Sequence, residues 1–437
     1  MHFEFFIIFP CPKFLSLILA RSTASLDYIF SISRIKYMRG LFFSLPVWGH
    51  TLPTLPVCRE LTRRGVEMIY YSTDKFRKVI EGHGIAFKRY PYGNDFYSAL
   101  EDKLVQCLRS RGLTDFWLAI LEYTEKFITS GIEDIEKTKP DFLIHDAMVL
   151  GGKIAALKTN TPAICSVPIG LMNGRMTLRT PYLWKFTLKG ASQFGKYINV
   201  ARRLCKTFGV RKSIFKDIIY NREKLNIVYT SRYFQPFERF FGEEYKFIGA
   251  SIDEEQEEGN REAKENIIYI SLGTLFDRLD NFFEICFEAF KGMDYHVILS
   301  LGGRLTQTHF THLPSHFQVE TFVDQKAILK RAKLFITHGG LNSVSEGMYY
   351  QTPLVMIPST LEQELNARRV ERLGAGIMID RSAVTPQILA MAAKKVLHEG
   401  AYVSSAEKIR QSFLTSGGYR KAADEILSFL NKGVMHP

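Results

Sequence analysis

The sequence has little cysteine, and its cysteines show none of the spacings that metal or redox sites use. There are six cysteines in 437 residues, and no two of them form a C-x-x-C pair or a zinc-type cluster. Four of them, at positions 58, 107, 165 and 286, lie in apolar segments. Because disulfides are rare in reducing compartments, this usage predicts reduced, mostly buried thiols in a cytoplasmic protein.

The sequence also lacks an uninterrupted apolar run long enough to cross a membrane. The most apolar stretch, FEFFIIFPCPKFLSLILA near the amino terminus, is broken by Pro10, Pro12 and Lys13. It is a poor secretory signal, because it has no basic cluster before it and no clean A-x-A site after it. The first strand–helix pattern begins after Met38. Residues 1–37 are therefore predicted to be an extension outside the fold, with Met38 as the true start.

Acidic residues are outnumbered, with 45 Asp and Glu against 57 Lys and Arg, and the net charge is +12. A charge of this sign is compatible with nucleic acid, a membrane surface or an anionic ligand as partner. Most basic residues are dispersed along the chain, which argues against nucleic acid. One local cluster has two interpretations, a solvated helix face, which is favoured, or peripheral contact with an anionic membrane. Its members are Arg202, Arg203, Lys206, Arg211, Lys212 and Lys216.

The length and the 46% apolar content predict two packed domains. Short apolar runs alternate with amphipathic segments, and this pattern begins again after an acidic, polar stretch. We therefore expect an α/β fold with two parallel sheets joined by right-handed crossovers. The predicted boundaries are 38–248 for the first domain, 249–266 for the linker and 267–437 for the second domain, whose last helix could pack back on the first.

Ten runs are predicted as strands, four before the linker and six after it. Ligands of such sheets bind at the carboxyl ends of the strands, so two facing sheets would share one cleft. The ten runs cover residues 40–45, 66–73, 141–146, 162–167, 267–274, 295–301, 317–322, 334–339, 353–358 and 376–380.

The segment FITHGGLNSVSEGMYYQTPLVMIP (335–358) carries the clearest chemical signal. An apolar strand runs into a Gly-Gly pair, and a helix follows at once. The first N–H groups of a helix and its positive dipole end favour a diphosphate, and the glycines let it approach the backbone. Glu346 lies one helical turn after Asn342, where a carboxylate suits the hydroxyls of a ribose.

The whole pattern HGGxNSxxEG, followed by a strand and then by Glu362-Gln363, resembles the donor signature of nucleotide-sugar-dependent glycosyltransferases. It is most similar to the bacterial macrolide glycosyltransferase and UDP-glucosyltransferase branch. The resemblance extends over essentially all of residues 38–430. It implies two Rossmann-like parallel-sheet domains that face each other across a cleft, the GT-B architecture, and a UDP-glycosyltransferase activity.

The resemblance also implies a role for each matched residue of the donor site. The pyrophosphate would be bound at the Gly-Gly junction and by the SLGT turn of the second domain, the ribose by Glu346, and the sugar hydroxyls by Glu362 and Gln363. In FVDQ, where the family usually has V-P-Q, Phe322 would stack on the base and Gln325 would read its edge, with Asp324 in place of proline. Some single positions, such as Ser345, Glu364 and Asn366, are equally compatible with an ordinary helix surface. The donor residues so implied are Ser271, Gly273, Thr274, Phe322, Val323, Gln325, His338, Gly339, Gly340, Asn342, Ser343, Glu346, Glu362 and Gln363.

A histidine follows the first predicted strand in the segment WGHTLP. At the carboxyl edge of the sheet, His50 is suited to remove a proton from an acceptor hydroxyl. Asp146, at the end of the strand DFLIHD, reaches the same edge and would stabilise the resulting imidazolium, although it could also cap the next helix. The neighbouring His145 points to the other face and is predicted to be structural. The family's G-H-x-x-P histidine and its aspartate fall on His50 and Asp146.

The predicted reaction is an inverting hexose transfer, most consistent with UDP-glucose as co-substrate, to a hydroxyl of a hydrophobic small molecule such as a flavonoid, polyketide or macrolide. The chain contains no D-x-D motif, so we expect no metal and no other cofactor. We expect a monomer or a weak dimer, without stable membrane insertion. The aromatic and soft side chains predicted to line the acceptor site, which are equally compatible with ordinary core, are Tyr92, Phe96, Trp117, Met172 and Trp184.

Other functions remain open at this point. A sugar-nucleotide epimerase has the same architecture but would use carboxylates in the cleft. A silent nucleotide-sugar-binding auxiliary protein would be expected to have lost the histidine or the aspartate. The basic cluster keeps a lipid glycosyltransferase as a further alternative.

Overall fold

A computed structural model of the chain describes residues 38–91, 103, 113–172, 194–210, 221–253, 263–273, 281–302 and 313–435. It contains two parallel β-sheets in two α/β domains. The predicted extension (1–37) and the centre of the predicted linker (254–262) lie outside the described residues.

The first sheet has seven strands in the order β3-β2-β1-β4-β5-β6-β7. The strand order reverses direction at β1, which pairs with both β2 and β4. A crevice forms at such a switch point, beyond the carboxyl ends of the two strands. The strands are β1 (Arg39–Phe43), β2 (Glu67–Ser72), β3 (Ala86–Arg89), β4 (Phe142–Asp146), β5 (Ala163–Val167), β6 (Asn226–Val228) and β7 (Tyr245–Phe247).

The second sheet has six strands in the order β10-β9-β8-β11-β12-β13. Its switch point lies between β8 and β11, which pair in parallel. The apolar runs after the linker predict all six strands. They are β8 (Ile267–Ser271), β9 (His296–Ser300), β10 (Phe317–Glu320), β11 (Leu334–Thr337), β12 (Leu354–Met356) and β13 (Gly376–Met378).

Helices cover both faces of each sheet and follow the strands along the chain. A short 3-10 turn at Leu52–Thr54 links the first two helices. The helices are α1 (Trp48–Thr51), α2 (Leu55–Arg63), α3 (Asp74–Gly82), α4 (Leu113–Thr138), α5 (Leu150–Thr159), α6 (Phe194–Phe208), α7 (Phe282–Ala289), α8 (Gln325–Arg331), α9 (Leu341–Tyr349), α10 (Leu361–Arg372), α11 (Pro386–His398), α12 (Gly400–Thr415) and α13 (Gly418–Met435).

Three strands are absent from the sequence-based prediction, namely β3, β6 and β7. The strands β6 and β7 have only three residues each, too few for a periodic pattern to stand out. In β3, the sequence AFKR contains two basic residues, and no residue of the strand is fully buried. Their positions are set by pairing with stronger neighbouring strands rather than by their own hydrophobicity.

The apolar strands create a hydrophobic core on each face of each sheet. In the first domain, Phe43 and Leu143 face the core formed with α4 and α5, whereas Phe42 and Ile144 face the core formed with α2. This alternation follows from the two-residue period of a strand. The second domain is built in the same way, with two buried clusters on opposite faces of its sheet.

The carboxy-terminal helix α13 belongs in sequence to the second domain but packs on the first. Its buried residues Tyr419, Ala422 and Ile426 join the core beneath α2. Arg64 at the end of α2 also contacts the Asp424 carboxylate at 2.5 Å. Within the described residues, the chain thus returns to the first domain just before α13.

No helix in the described ranges is both long and apolar enough to span a bilayer.

Candidate active site

The side chains of His50 and Asp146 meet at the switch point of the first sheet. His50 lies on the helical turn α1, just beyond the carboxyl end of β1, and Asp146 is the last residue of β4. The His50 Nδ1 atom is 2.7 Å from the Asp146 Oδ2 atom. The Asp146 side chain is fully buried, and that of His50 is 12% exposed. The sequence predicted that these two side chains reach one edge of the sheet, and His50 does so from a helical turn.

Each oxygen of the Asp146 carboxylate has a different partner. Oδ1 accepts a hydrogen bond from the backbone N–H of Met148 at 2.7 Å, which holds the turn before α5. Because α5 begins only at Leu150 and has no side-chain cap, Asp146 stabilises this turn and is not the helix cap. Oδ2 remains for His50. An ionised carboxylate only accepts hydrogen bonds, so the proton of a neutral His50 lies on Nδ1 and the lone pair on Nε2.

Two carboxylates act on the pKa of His50. Burial lowers this pKa, but the Asp146 carboxylate raises it by charge and hydrogen bonding, and the Glu362 carboxylate raises it further. The net result is a pKa above the ordinary value of 6.5. Glu362 belongs to α10 of the second domain. A charge of the second domain thus raises the pKa of a histidine in the first.

The neighbouring His145 is fully buried behind this pair. Its Nε2 atom is 3.2 Å from Glu223, and Lys153 approaches the same Glu223 carboxylate at 3.4 Å. His145 therefore belongs to a polar cluster inside the first domain, in agreement with the structural role that the sequence predicted for it.

The strand–Gly-Gly–helix junction of the second domain lies at the carboxyl end of β11. Gly339 has φ +84°, which glycine adopts without strain. Gly340 caps α9 in an extended conformation. The His338 imidazole lies between Gly340 and Gly273, where an added Cβ atom would approach the ring to 2.6 Å and 2.7 Å respectively. The two glycines therefore make room for one imidazole.

His338 is neutral in this position. Burial lowers its pKa to about 4, although the ring donates a hydrogen bond to the Ser271 carbonyl, which opposes this shift. A neutral imidazole has one N–H, so its second nitrogen is an acceptor. For His338 to donate a hydrogen bond to a phosphate oxygen, as the sequence predicted, one of two changes is needed. Either the ring takes up a second proton, or its one N–H leaves the Ser271 carbonyl and turns to the phosphate.

Glu346 is buried and held by two side-chain amides. Gln325 Nε2 donates to its Oε2 at 2.5 Å, and Asn342 Nδ2 donates to its Oε1 at 3.1 Å. Burial raises the pKa of this carboxyl group. The amide of Gln325 is thus directed at the predicted ribose carboxylate, whereas the sequence predicted that it would read the base.

The loop after β10 exposes an aromatic ring. The Phe322 side chain is 62% exposed, and Val323 anchors the loop by packing on the core of the second domain. Asp324, which replaces the proline usual in the family, accepts a hydrogen bond from the Ala327 N–H at 3.1 Å and so caps α8. The substitution thus supplies a helix cap in this loop.

The start of α10 brings a carboxylate to the tip of α9. Glu362 accepts from the Leu341 N–H, and burial raises the pKa of its carboxyl group. Gln363 forms a capping box with Thr360, and its Oε1 accepts from the Ser359 N–H at 2.9 Å. The Oε1 atom of Gln363 is used in this cap, so only its amide nitrogen is left for the predicted contact with a sugar hydroxyl.

Asn366 is a residue that sequence reasoning missed. The sequence is compatible with a helix surface at this position, but Asn366 is only 5% exposed, and that interpretation is wrong. Its Nδ2 atom lies 3.1 Å from the Glu362 Oε1 atom and 3.1 Å from the Gly339 carbonyl. Its Oδ1 lies 3.6 Å from the position of a Cβ atom on Gly170 of the first domain. The spacing i, i+4 after Glu362 was the available signal.

The remaining predicted residues have diverse positions. Ser343 is half-buried in the first turn of α9, and Met172 is half-buried after β5. Trp117, a residue of α4, lies in the hydrophobic core of the first domain, and Ser345 is buried rather than on a surface. Outside the described residues lie Thr274, Tyr92, Phe96 and Trp184.

Comparison with known proteins supports this interpretation of the two domains. The family model of the erythromycin biosynthesis protein CIII-like C-terminal domain matches residues 284–426. An uncharacterized UDP-glucosyltransferase of Bacillus subtilis, YojK, is 33% identical over 395 residues, which cover 89% of this chain and 96% of the relative. The NDP-glycosyltransferase YjiC of Bacillus licheniformis is 30% identical, with 89% of this chain and 96% of the relative covered.

The fold also matches a solved structure. The crystal structure of the calicheamicin glycosyltransferase CalG4 superposes with a TM-score of 0.76 at 24% identity, and it covers 92% of this chain and 99% of that one. At this identity the match shows the GT-B fold. Taken together with the bacterial relatives, the two facing domains identify this chain as a member of the nucleotide-sugar-dependent glycosyltransferase family, and hence as a glycosyltransferase.

Proposed function

We propose that the protein transfers a hexose, with glucose from UDP-glucose as the first choice, to a hydroxyl group of a hydrophobic small-molecule acceptor, with inversion at the anomeric carbon and without a metal. The observation that carries this proposal is the His50–Asp146 pair, whose Nδ1–Oδ2 distance is 2.7 Å. The negative charge of Glu362, from the donor domain, raises the pKa of this histidine.

The first step assigned to this chain is proton removal from the acceptor. The Nε2 lone pair of His50 takes the hydroxyl proton while the acceptor oxygen attacks the anomeric carbon. The bond from that carbon to the diphosphate breaks on the opposite face, which accounts for inversion. Asp146 stabilises the imidazolium that forms, because its Oδ2 atom already accepts from Nδ1.

The second step is stabilisation of the leaving diphosphate. The first N–H groups of α9 have no partner within the helix, and the positive end of the helix dipole lies there. One of them, that of Leu341, is directed at Glu362, and those of Asn342 and Ser343 follow in the first turn. Fixed dipoles of this kind stabilise developing negative charge without reorganisation, which supports a reaction that needs no metal.

The nucleoside would lie beside Glu346 and Phe322. The carboxylate of Glu346 suits the two ribose hydroxyls, and the exposed Phe322 ring offers a face for stacking on the base. The choice of UDP-glucose follows the name of the Bacillus subtilis relative. A macrolide as acceptor is supported by the match to an erythromycin biosynthesis domain, and other polyketides and flavonoids are proposed beside it as hydrophobic hydroxyl compounds.

The test mixes the protein with UDP-glucose and a panel of phenolic and macrolide alcohols, with and without EDTA, and searches for hexose addition by mass spectrometry. We expect a hexosylated product with an inverted linkage by NMR, formed equally well with EDTA. Loss of transfer with EDTA would contradict the metal-independent reaction. An isomerised UDP-sugar formed without acceptor would instead support the epimerase alternative.

A further inference from the structure

The hydrogen bonds around Glu346 continue into the core of the second domain. The Tyr269 hydroxyl donates to Gln325 Oε1 at 3.1 Å, and Gln325 Nε2 donates in turn to Glu346 Oε2 at 2.5 Å. Asn342 occupies the other carboxylate oxygen at 3.1 Å. A phenol on β8 is thus linked through one amide to the carboxylate that the proposed function assigns to the ribose.

Tyr269 itself is too deep to touch a ligand. It is 1% exposed, and its ring stacks on Phe335 of β11 with 4.8 Å between centroids and 16° between planes. Burial raises the pKa of its hydroxyl, so the group stays protonated and can donate. The phenol can therefore act on a ligand only through Gln325, to which it donates at 3.1 Å.

The Tyr269 hydroxyl fixes the orientation of the Gln325 amide group. An amide group has one acceptor end and one donor end. With Oε1 held by the Tyr269 hydroxyl, the NH₂ end must face Glu346. Without that hydroxyl, the amide keeps only its hydrogen bond to the carboxylate and loses the second contact that fixes its position.

We propose that Tyr269 is a positioning residue for nucleotide recognition. It fixes Gln325, and Gln325 fixes the Glu346 carboxylate so that each of its oxygens keeps one lone pair in position for one of the two adjacent ribose hydroxyls. This inference rests on the proposed ribose role of Glu346. It predicts that the Tyr269 hydroxyl contributes to binding only when the ribose hydroxyls are present.

The experiment measures the affinity of UDP and of 2′,3′-dideoxy-UDP by calorimetry, in the wild-type protein and in Tyr269→Phe. The phenylalanine keeps the stacked ring and removes only the hydroxyl. We expect UDP to bind roughly three- to tenfold more weakly, as for one hydrogen bond. The affinity of the dideoxy nucleotide should change less than about twofold.

Two further variants separate positioning from a general loss of structure. Gln325→Met, at the half-exposed start of α8, removes the same link and should show the same selective loss, even if Tyr269→Phe does not fold. The double variant should lose no more than either single variant, because both break one chain of hydrogen bonds. Tyr70→Phe is the matched control, since Tyr70 is a buried phenol stacked on Phe42 in the other sheet, and it should leave both affinities unchanged.

The outcomes distinguish this inference from the proposed function. If the wild-type protein binds both nucleotides equally, the ribose role of Glu346 is wrong and the inference fails with it. If the wild-type protein prefers UDP but Tyr269→Phe keeps the full preference, the positioning role alone is wrong. An equal loss for both nucleotides in Tyr269→Phe and Gln325→Met would also overturn it, because it would mean a purely structural effect.

Discussion

The carboxylate of Asp146 approaches the imidazole of His50 to 2.7 Å across 96 positions of sequence. The contact exists because β1 pairs with β4 rather than with its sequence neighbour alone, so that two distant strand ends become adjacent. One carboxylate oxygen holds a turn and the other holds the imidazole. The aspartate is therefore fixed before any substrate binds, which is the requirement for an orienting partner of a base.

Replacing Asp146 with asparagine should lower the transfer rate without lowering donor affinity. The amide of the new side chain could present an N–H to the ring, which would favour the wrong tautomer and would not stabilise the imidazolium. We expect kcat to fall on the order of 10³-fold, as for similar pairs, while UDP binds as before by calorimetry. Asp141→Asn removes a carboxylate at the opposite end of the same strand, where it contacts the Arg39 N–H, and should leave kcat unchanged. An Asp146→Asn protein with normal kcat would contradict the orienting role.

The dependence of transfer on pH should respond to Glu362. His50 must be neutral to act as a base, so kcat/KM for the acceptor should rise with pH through a pKa that lies above 6.5. Because the negative charge of Glu362 raises this pKa, Glu362→Gln should move the acid limb to lower pH. Glu346→Gln, which removes a buried carboxylate that does not act on His50, should leave the limb where it is. If the acid limb of the pH profile does not move in Glu362→Gln, the charge of Glu362 does not act on His50.

Asn366 should matter for both stability and donor binding. Its amide donates to Glu362 and to the Gly339 carbonyl, and both acceptors would lose a donor in Asn366→Ala. We expect a loss of about 1–3 kcal/mol in the free energy of unfolding, measured by chemical denaturation, together with weaker UDP-glucose binding. Asn199→Ala, on the exposed face of α6, is the matched control and should be near neutral. Equal effects of the two variants would mean that the Asn366 contacts contribute nothing specific.

A methyl group at Gly340 should displace the His338 imidazole. The added Cβ atom would lie 2.6 Å from the ring Nε2 atom, well inside contact distance. We expect Gly340→Ala to destabilise the donor domain by about 1–3 kcal/mol and to weaken UDP binding. The control is Gly400→Ala, where a Cβ atom meets open space at the start of α12. If UDP bound normally to Gly340→Ala, the position of His338 would not matter for the diphosphate.

Much of this fold could be predicted because its strands are strong and its site residues stand at strand ends. The runs GLFFSL and DFLIHD predict β1 and β4, and the parallel alternation alone brings His50 and Asp146 to one edge. The same reasoning finds the Gly339-Gly340 junction, because a strand, two glycines and a helix follow each other directly in the sequence.

Other features could not be predicted because they depend on contacts between distant segments. Tyr269 stands inside an apolar strand, where a phenol is indistinguishable from ordinary core until Gln325 is seen beside it. From the sequence, Asn366 could lie either in the donor site or on the surface of its helix. Its two hydrogen-bond acceptors come from its own helix and from a loop 27 positions earlier. The strands β6 and β7 could not be predicted because three residues are too few to show a hydrophobic period.

The most direct test of the account is the transfer rate and UDP-glucose affinity of His50→Ala. If His50 is the base, transfer should fall by roughly 10²–10⁴-fold, while the dissociation constant for UDP-glucose stays within about twofold, because the donor contacts come from the other domain. Glu346→Ala should show the reverse pattern, with weakened donor binding. A His50→Ala protein that transfers hexose at the wild-type rate would contradict the central claim.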